Sequence, residues 1–260
     1  MTDPIWNIQI GDDPLVFAAI HDGHAVRDEL AKLFAISAAD RLREEDPYTS
    51  EWTAVGATRI IGLRSRFEVD LNRPRHTSVY LEPGDAWGLK IWHSTPPQEI
   101  VARSLAEYDA FYRAVNDLLA RIADRHGRFV VYDLHSYNHQ RDGADAPPAD
   151  PADNPQVNVG TGSMNRSYWA PVVDHFISDL RAFPFPGGQL DVRENVKFRG
   201  GQLSRWVHET FPESGCAIAI EFKKFFMDEW TGKADCSLVQ SITESLRSTV
   251  PGVLKALQCR

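Results

Sequence analysis

Three runs that are apolar at nearly every position constrain the fold most: residues 15–20 (LVFAAI), 129–134 (FVVYDL) and 216–222 (CAIAIEF). A strand with one wet face alternates apolar and polar side chains. A continuously apolar run is instead covered on both sides, as are interior strands of a parallel sheet with helices above and below. Between these runs lie segments with helical periodicity. The clearest is 99–125, where Val101, Leu105, Tyr108, Phe111, Tyr112, Val115, Leu118, Leu119 and Ile122 form one stripe and His126-Gly127 closes the helix as a C-cap does. Strand-like and helix-like runs in alternation predict an α/β layered domain.

The remaining segments follow the same rules. Residues 26–42 carry apolar side chains at helical spacing and predict one helix, while 57–63 and 67–71 read as two short strands, the second stopped by Pro74. Residues 143–155 (GADAPPADPADNP) have no period and read as a mobile loop. A short strand is expected at 157–159, a helix at 168–183 ending in the break FPFPGG, and a closing helix at 237–257 interrupted near Pro251. No repeat and no shift in composition divides the chain, so residues 1–260 are expected to form a single domain.

Composition narrows the partners. With 28 Lys+Arg against 36 Asp+Glu the net charge is -8, which repels nucleic-acid backbones and anionic lipid surfaces. An anionic substrate must then be gathered by a local basic pocket. The first fourteen residues lack the basic and apolar regions of a secretion signal, and no stretch approaches the ~20 apolar residues needed to span a bilayer, so a cytoplasmic location is expected. Cys216, Cys236 and Cys259 are odd in number and lack C-x-x-C spacing, which argues against disulfides and a cysteine zinc site.

Ligands of α/β sheets bind outside the carboxyl ends of the strands. Four such ends carry polar residues: His21, Asn72-Arg73, His135 and Glu221. Two histidines at different strand ends are the beginning of a catalytic zinc site, which takes three protein ligands and leaves a position open. The third ligand is sought at His24 or in Glu44-Glu45-Asp46; as plainer readings, the acidic run is a solvated helix end and His21 a structural histidine. Glu221, in an apolar run, has a carboxyl whose pKa burial raises, which suits a proton shuttle; a buried pair with Lys223 or Lys224 is the plainer reading. Arg64, Arg66, Arg73 and Arg75 offer planar forks for a carboxylate or an oxyanion, although Arg64 and Arg66 also fit exposed positions on one strand face. Phe198-Arg199-Gly200-Gly201 is a flexible loop from which Arg199 reaches a ligand. Gly160-Thr161-Gly162-Ser163 lacks the rest of a phosphate loop, and Ser136 lacks the G-x-S-x-G elbow of a serine hydrolase.

In order along the chain, Ile20-His21-Asp22-Gly23, Glu45-Asp46, Arg66, Asp70-Leu71-Asn72-Arg73, Asp133-Leu134-His135-Ser136, Phe198-Arg199-Gly200-Gly201, Ile220-Glu221 and Phe226-Met227-Asp228-Glu229 resemble the N-formylglutamate amidohydrolase family, related to zinc carboxypeptidases and aspartoacylase-like enzymes. The resemblance implies a three-layer α/β/α fold with a central mixed, mostly parallel sheet. It implies one zinc ion on His21 and His135, Glu221 as general base and acid, Arg66 at the scissile carbonyl, and Asn72 with Arg73 clamping a substrate carboxylate. The related carboxypeptidase pattern is His-x-x-Glu, whereas His24 stands in the fourth place here, so the third ligand is expected at Asp46, then Glu45, then His24. The implied reaction is hydrolysis of N-formyl-L-glutamate to glutamate and formate in histidine breakdown. Other readings are a zinc amidase or carboxypeptidase for another N-acyl amino acid or peptide, and a metal-free protein that binds small carboxylates.

Overall fold

The computed structural model describes residues 4–258. Its strands are β1 (Trp6–Gln9), β2 (Leu15–Ala19), β3 (Thr58–Gly62), β4 (Phe129–Tyr137), β5 (Val157–Gly160), β6 (Val192–Glu194) and β7 (Gly215–Lys223). They form one seven-stranded sheet in the order β1-β3-β2-β4-β7-β5-β6. The strands β3, β2, β4 and β7 run parallel, β1 pairs antiparallel with β3, and β5 pairs antiparallel with β7 while running parallel to β6. The sheet is thus mixed and mostly parallel. The three apolar runs are its interior strands β2, β4 and β7, and β2 and β4 are buried at every position.

The helices are α1 (Asp28–Ala31), α2 (Ala38–Glu44), α3 (Thr49–Trp52), α4 (Gln98–His126), α5 (Ala170–Ala182), α6 (Gln202–Thr210) and α7 (Cys236–Gln258). Alternate side chains of the strands feed two separate cores. Phe17, Tyr132 and Ile218 pack with α5 and α7 on one face, and Val16, Val131 and Ala217 pack with α4 and α6 on the other. This gives three layers, α/β/α. No helix among the described residues is long and apolar enough to cross a membrane. Cys216 is buried and Cys236 exposed, and Cys259 lies outside the described residues.

Several segments depart from the expectation. Residues 26–42 do not form one helix: the single turn of α1 ends at Ala31, and Ser37 starts α2 afresh by accepting a hydrogen bond from the Asp40 amide at 3.0 Å. Residues 67–71 are not a strand, because their alternation hides a different arrangement. Phe67, Val69 and Leu71 are buried, but so are Glu68 and Asp70, whose carboxylates pair with arginines and hold the chain in turns. Helix α7 runs through Pro251 without a break; Pro251 and Arg247, whose carbonyl loses its partner, both lie on the exposed face. The edge strands β1 and β6 and helices α3 and α6 are additions to the expected elements.

Candidate active site

The carboxyl ends of the central strands open into a cleft of about 250 Å³ lined by His21, Asp46, Arg66, Asn72, Arg73, His135, Arg199 and Glu221, with Glu44, Trp87, Arg141 and Lys224 around them. His21 lies two residues past the end of β2, and its carbonyl accepts from the Asp46 amide at 3.0 Å, which brings the loop after α2 to the strand end. His135 lies on β4 in register with Glu221 on the neighbouring β7. Residues far apart in sequence therefore meet because the sheet places three of its strands side by side.

His21, Asp46 and His135 offer ligand atoms within 4.8 Å of one another, and all three are buried. Both imidazoles direct Nδ1 toward Asp46, at 3.4 Å from His21 and 2.9 Å from His135. Both turn Nε2 to a second carboxylate, His21 to Asp70 at 2.7 Å and His135 to Asp133 at 2.8 Å. Histidines that ligate a metal are oriented in this way, with the far ring nitrogen fixed by a carboxylate. The His21 Nδ1 is buried without a hydrogen-bond partner, a costly state that a bound cation relieves. The donor set of two imidazoles and one carboxylate thus fits a zinc-like ion, with Asp70 and Asp133 behind it.

Electrostatics favours positive charge at this spot. Burial tends to raise the Asp46 pKa, but the two imidazoles facing it, His135 and His21, outweigh it and keep the carboxylate ionised below its usual range. Asp70 is likewise held well below that range: burial is overcome by Arg66 and His21. At His135, burial disfavours the imidazolium, yet Asp133 and Asp46 stabilise it. A cation takes over the role of those protons when it binds. Glu221 behaves differently, because burial dominates over the attraction of His135 and pushes its carboxyl up to about 7.

Glu45 and His24 bond each other at 2.7 Å and are absent from the three-residue group. Arg66 donates to Asp70 at 2.8 Å, with its guanidinium 5.0 Å from the Trp87 ring, and lines the cleft. Arg64 is buried against Glu68 at 2.9 Å, and Arg75 pairs with Asp109 on the surface. Asn72 contacts His135 Nε2 at 3.3 Å, and its Oδ1 accepts from the Leu203 amide at 2.9 Å in the first turn of α6. Gly201 sits so near that a Cβ there would meet the Asn72 amide at 2.3 Å, and Gly200 has a φ of +106°, so this loop reaches the cleft only as glycine. Arg73 donates to the Asp85 carbonyl at 3.1 Å, and Arg199 is exposed at the rim.

Neither lysine after Glu221 pairs with it. Lys223 donates to the Asn154 carbonyl at 3.1 Å, and the buried Lys224 donates to the carbonyls of Arg43 at 2.6 Å and Glu45 at 2.8 Å. Lys224 so fixes the chain on either side of Glu44 and just before Asp46, with its own pKa lowered by burial to about 8. Arg141 and Trp87 were not among the residues expected from sequence, whereas Glu44 stood there as a candidate ligand, Lys224 as a candidate partner of Glu221 and Asp133 as part of a motif with no role of its own. Asp133 had a signal, lying two residues before His135 in an otherwise apolar run. Arg141 and Trp87 had none, since their roles arise only from long-range contacts.

A model of the N-formylglutamate amidohydrolase family matches residues 13–227. Among solved structures, the fold is similar to that of N-formylglutamate amidohydrolase from Ralstonia eutropha JMP134, at 17% identity and a TM-score of 0.72 with 96% of each chain covered. It is also similar to a gene product of Agrobacterium tumefaciens, at 16% identity and a TM-score of 0.60, again with 96% of each chain covered. No curated protein sequence matches the chain.

Proposed function

The chain belongs to the N-formylglutamate amidohydrolase family, and on that premise we propose that it hydrolyses N-formyl-L-glutamate to L-glutamate and formate, with a zinc ion held by His21, Asp46 and His135. The observation that carries this reading is the buried His-Asp-His group in one cleft with Glu221, which the β4–β7 pairing sets beside His135. Imidazole and carboxylate donors suit zinc. When bound, the ion supplies Lewis acidity toward the substrate carbonyl and acidifies water.

The chain's own groups do the rest. Glu221, balanced near pH 7, accepts a proton from the attacking water on a carboxylate oxygen. It passes that proton to the amide nitrogen as the C–N bond breaks, so the water oxygen leaves in formate and the nitrogen leaves as the amine of glutamate. Arg66, anchored by Asp70, faces the cleft to stabilise the oxyanion on the former carbonyl. Asn72 and Arg73, with Arg199 at the rim, hold a substrate carboxylate. The same reading makes the chain a single-domain, cytoplasmic enzyme of histidine breakdown, acting on a small anionic substrate rather than on nucleic acid or membrane. Metal analysis of protein purified without chelator, paired with assays on N-formyl-, N-acetyl- and peptidyl-glutamate, tests it. One zinc per chain and formate release are expected. Full activity without metal, or turnover of the peptide alone, overturns it.

A further inference from the structure

Glu229 and the chain leaving β4 form a second cluster that the chemistry above does not use, and it leads to Arg141 in the cleft wall. Glu229, buried at 2% exposure, accepts from the backbone amides of His139 at 2.5 Å and Gln140 at 3.1 Å. Trp230 Nε1 donates to the Gln140 carbonyl at 3.0 Å. The two residues before Arg141 are therefore tied to the body of the protein. Arg141 itself makes a two-point contact with Glu44, Nη1 to Oε1 at 3.2 Å and Nη2 to Oε2 at 2.9 Å. The partners differ in freedom: the Glu44 side chain is 3% exposed and that of Arg141 is 47% exposed, and both line the cleft.

We infer that Arg141, aimed by Glu44 and by the Glu229 anchor, is a specificity-determining residue that binds a second carboxylate, the one on the substrate's side chain. The inference deepens the amidohydrolase reading and rests on it for the identity of the substrate. A guanidinium has five N–H groups, and Glu44 takes two, so the Nε edge stays free for another carboxylate. The Trp87 ring, 5.8 Å from the guanidinium carbon, backs it from one side. Of the other cations of the cleft, Arg66 is held by Asp70 and Lys224 by two carbonyls, while Arg73 and Arg199 are the ones assigned above to the first carboxylate.

Charge makes the role selective. Without Arg141, the buried Glu44 would be left with Arg43 at 3.5 Å, and that wall of the cleft would repel a dicarboxylate. A neutral amide in the same position would be little affected. Glu44 and Glu229 act through Arg141 as positioning residues.

The test compares N-formyl-glutamate with its neutral isostere N-formyl-glutamine, in wild type, Arg141→Met and Arg141→Lys. In Arg141→Met the ratio of the two kcat/KM values is expected to fall roughly 10- to 100-fold, mainly through KM, the scale for losing hydrogen bonds to a charged group. Arg141→Lys keeps the charge without the fork and should recover part of the ratio. A ratio unchanged from wild type in Arg141→Met overturns the assignment. If wild type hydrolyses neither compound, the amidohydrolase reading fails by itself, and calorimetric binding of L-glutamate and L-glutamine decides the subsite. A preference for glutamate that Arg141→Met loses supports it, whereas no preference in wild type, or one that the variant retains, overturns it.

Discussion

Replacing Glu221 with Gln should separate stability from activity in opposite directions. The carboxyl titrates at about 7 instead of its ordinary 4.5 because burial opposes its charge. At about 1.4 kcal/mol for each pH unit of that displacement, the ionised form costs the fold ~3 kcal/mol. Because the side chain is part-buried and opens on the cleft, about 1–2 kcal/mol is the expected effect after solvent screening. The sign follows from a folded pKa above the unfolded one. Stability from the protonated form is complete below pH 4.5 and drains away as pH rises through about 7. Glutamine cannot ionise and keeps its contribution. In denaturant titrations of metal-stripped protein, Glu221→Gln should match wild type near pH 4.5 and be the more stable by pH 8, with the gap opening between. The same variant should lose roughly 10²–10⁴-fold in kcat, as expected for a general base. A gap that does not change with pH, or a variant less stable than wild type at pH 8, would refute the claim that burial strains this carboxylate.

Three further outcomes follow from the same geometry. Below pH 7, kcat/KM should fall with a single-proton limb, since Glu221 must be ionised to take a proton from water; a pH–rate profile flat to pH 5 would contradict this. Asp70→Asn and Asp133→Asn, which leave His21 and His135 in place but weaken the partners of their Nε2 atoms, should each lower metal affinity roughly 10–100-fold in a competitive chelator titration. Trp52, fully buried against Phe222 and Phe226 with ring centroids 5.1 Å from each, should cost about 3–5 kcal/mol in chemical denaturation when changed to Ala.

What could be read from the sequence and what could not divide along physical lines. Strands β2, β4 and β7 were legible because burial on both faces demands apolar residues at nearly every position, and their ends exposed His21, His135 and Glu221 as polar exceptions. Strands β1 and β6 were not, because four and three residues of mixed polarity at a sheet edge carry too short a pattern. The segment at 67–71 misled for a different reason. Period-two alternation implies a wet face only when the polar residues meet water, and Glu68 and Asp70 instead meet Arg27, Arg64, Arg66 and His21 in the interior. Asp70 matters to the site through its bond to His21, 49 residues away in sequence. The break at Ser37 did leave a trace, Ser37 with Asp40 three residues on, which the helical spacing on either side obscured.

The pairing of His135 with Glu221 also bears on how this site can change. Each backbone rung between β4 and β7 acts as a ruler, so a slip by one residue would turn one of the two side chains toward the opposite helical layer and expose buried apolar groups along the whole strand. Tinkering with substrate preference is thereby channelled into the loops at the mouth, while the spacing between imidazole and carboxylate stays as durable as the sheet.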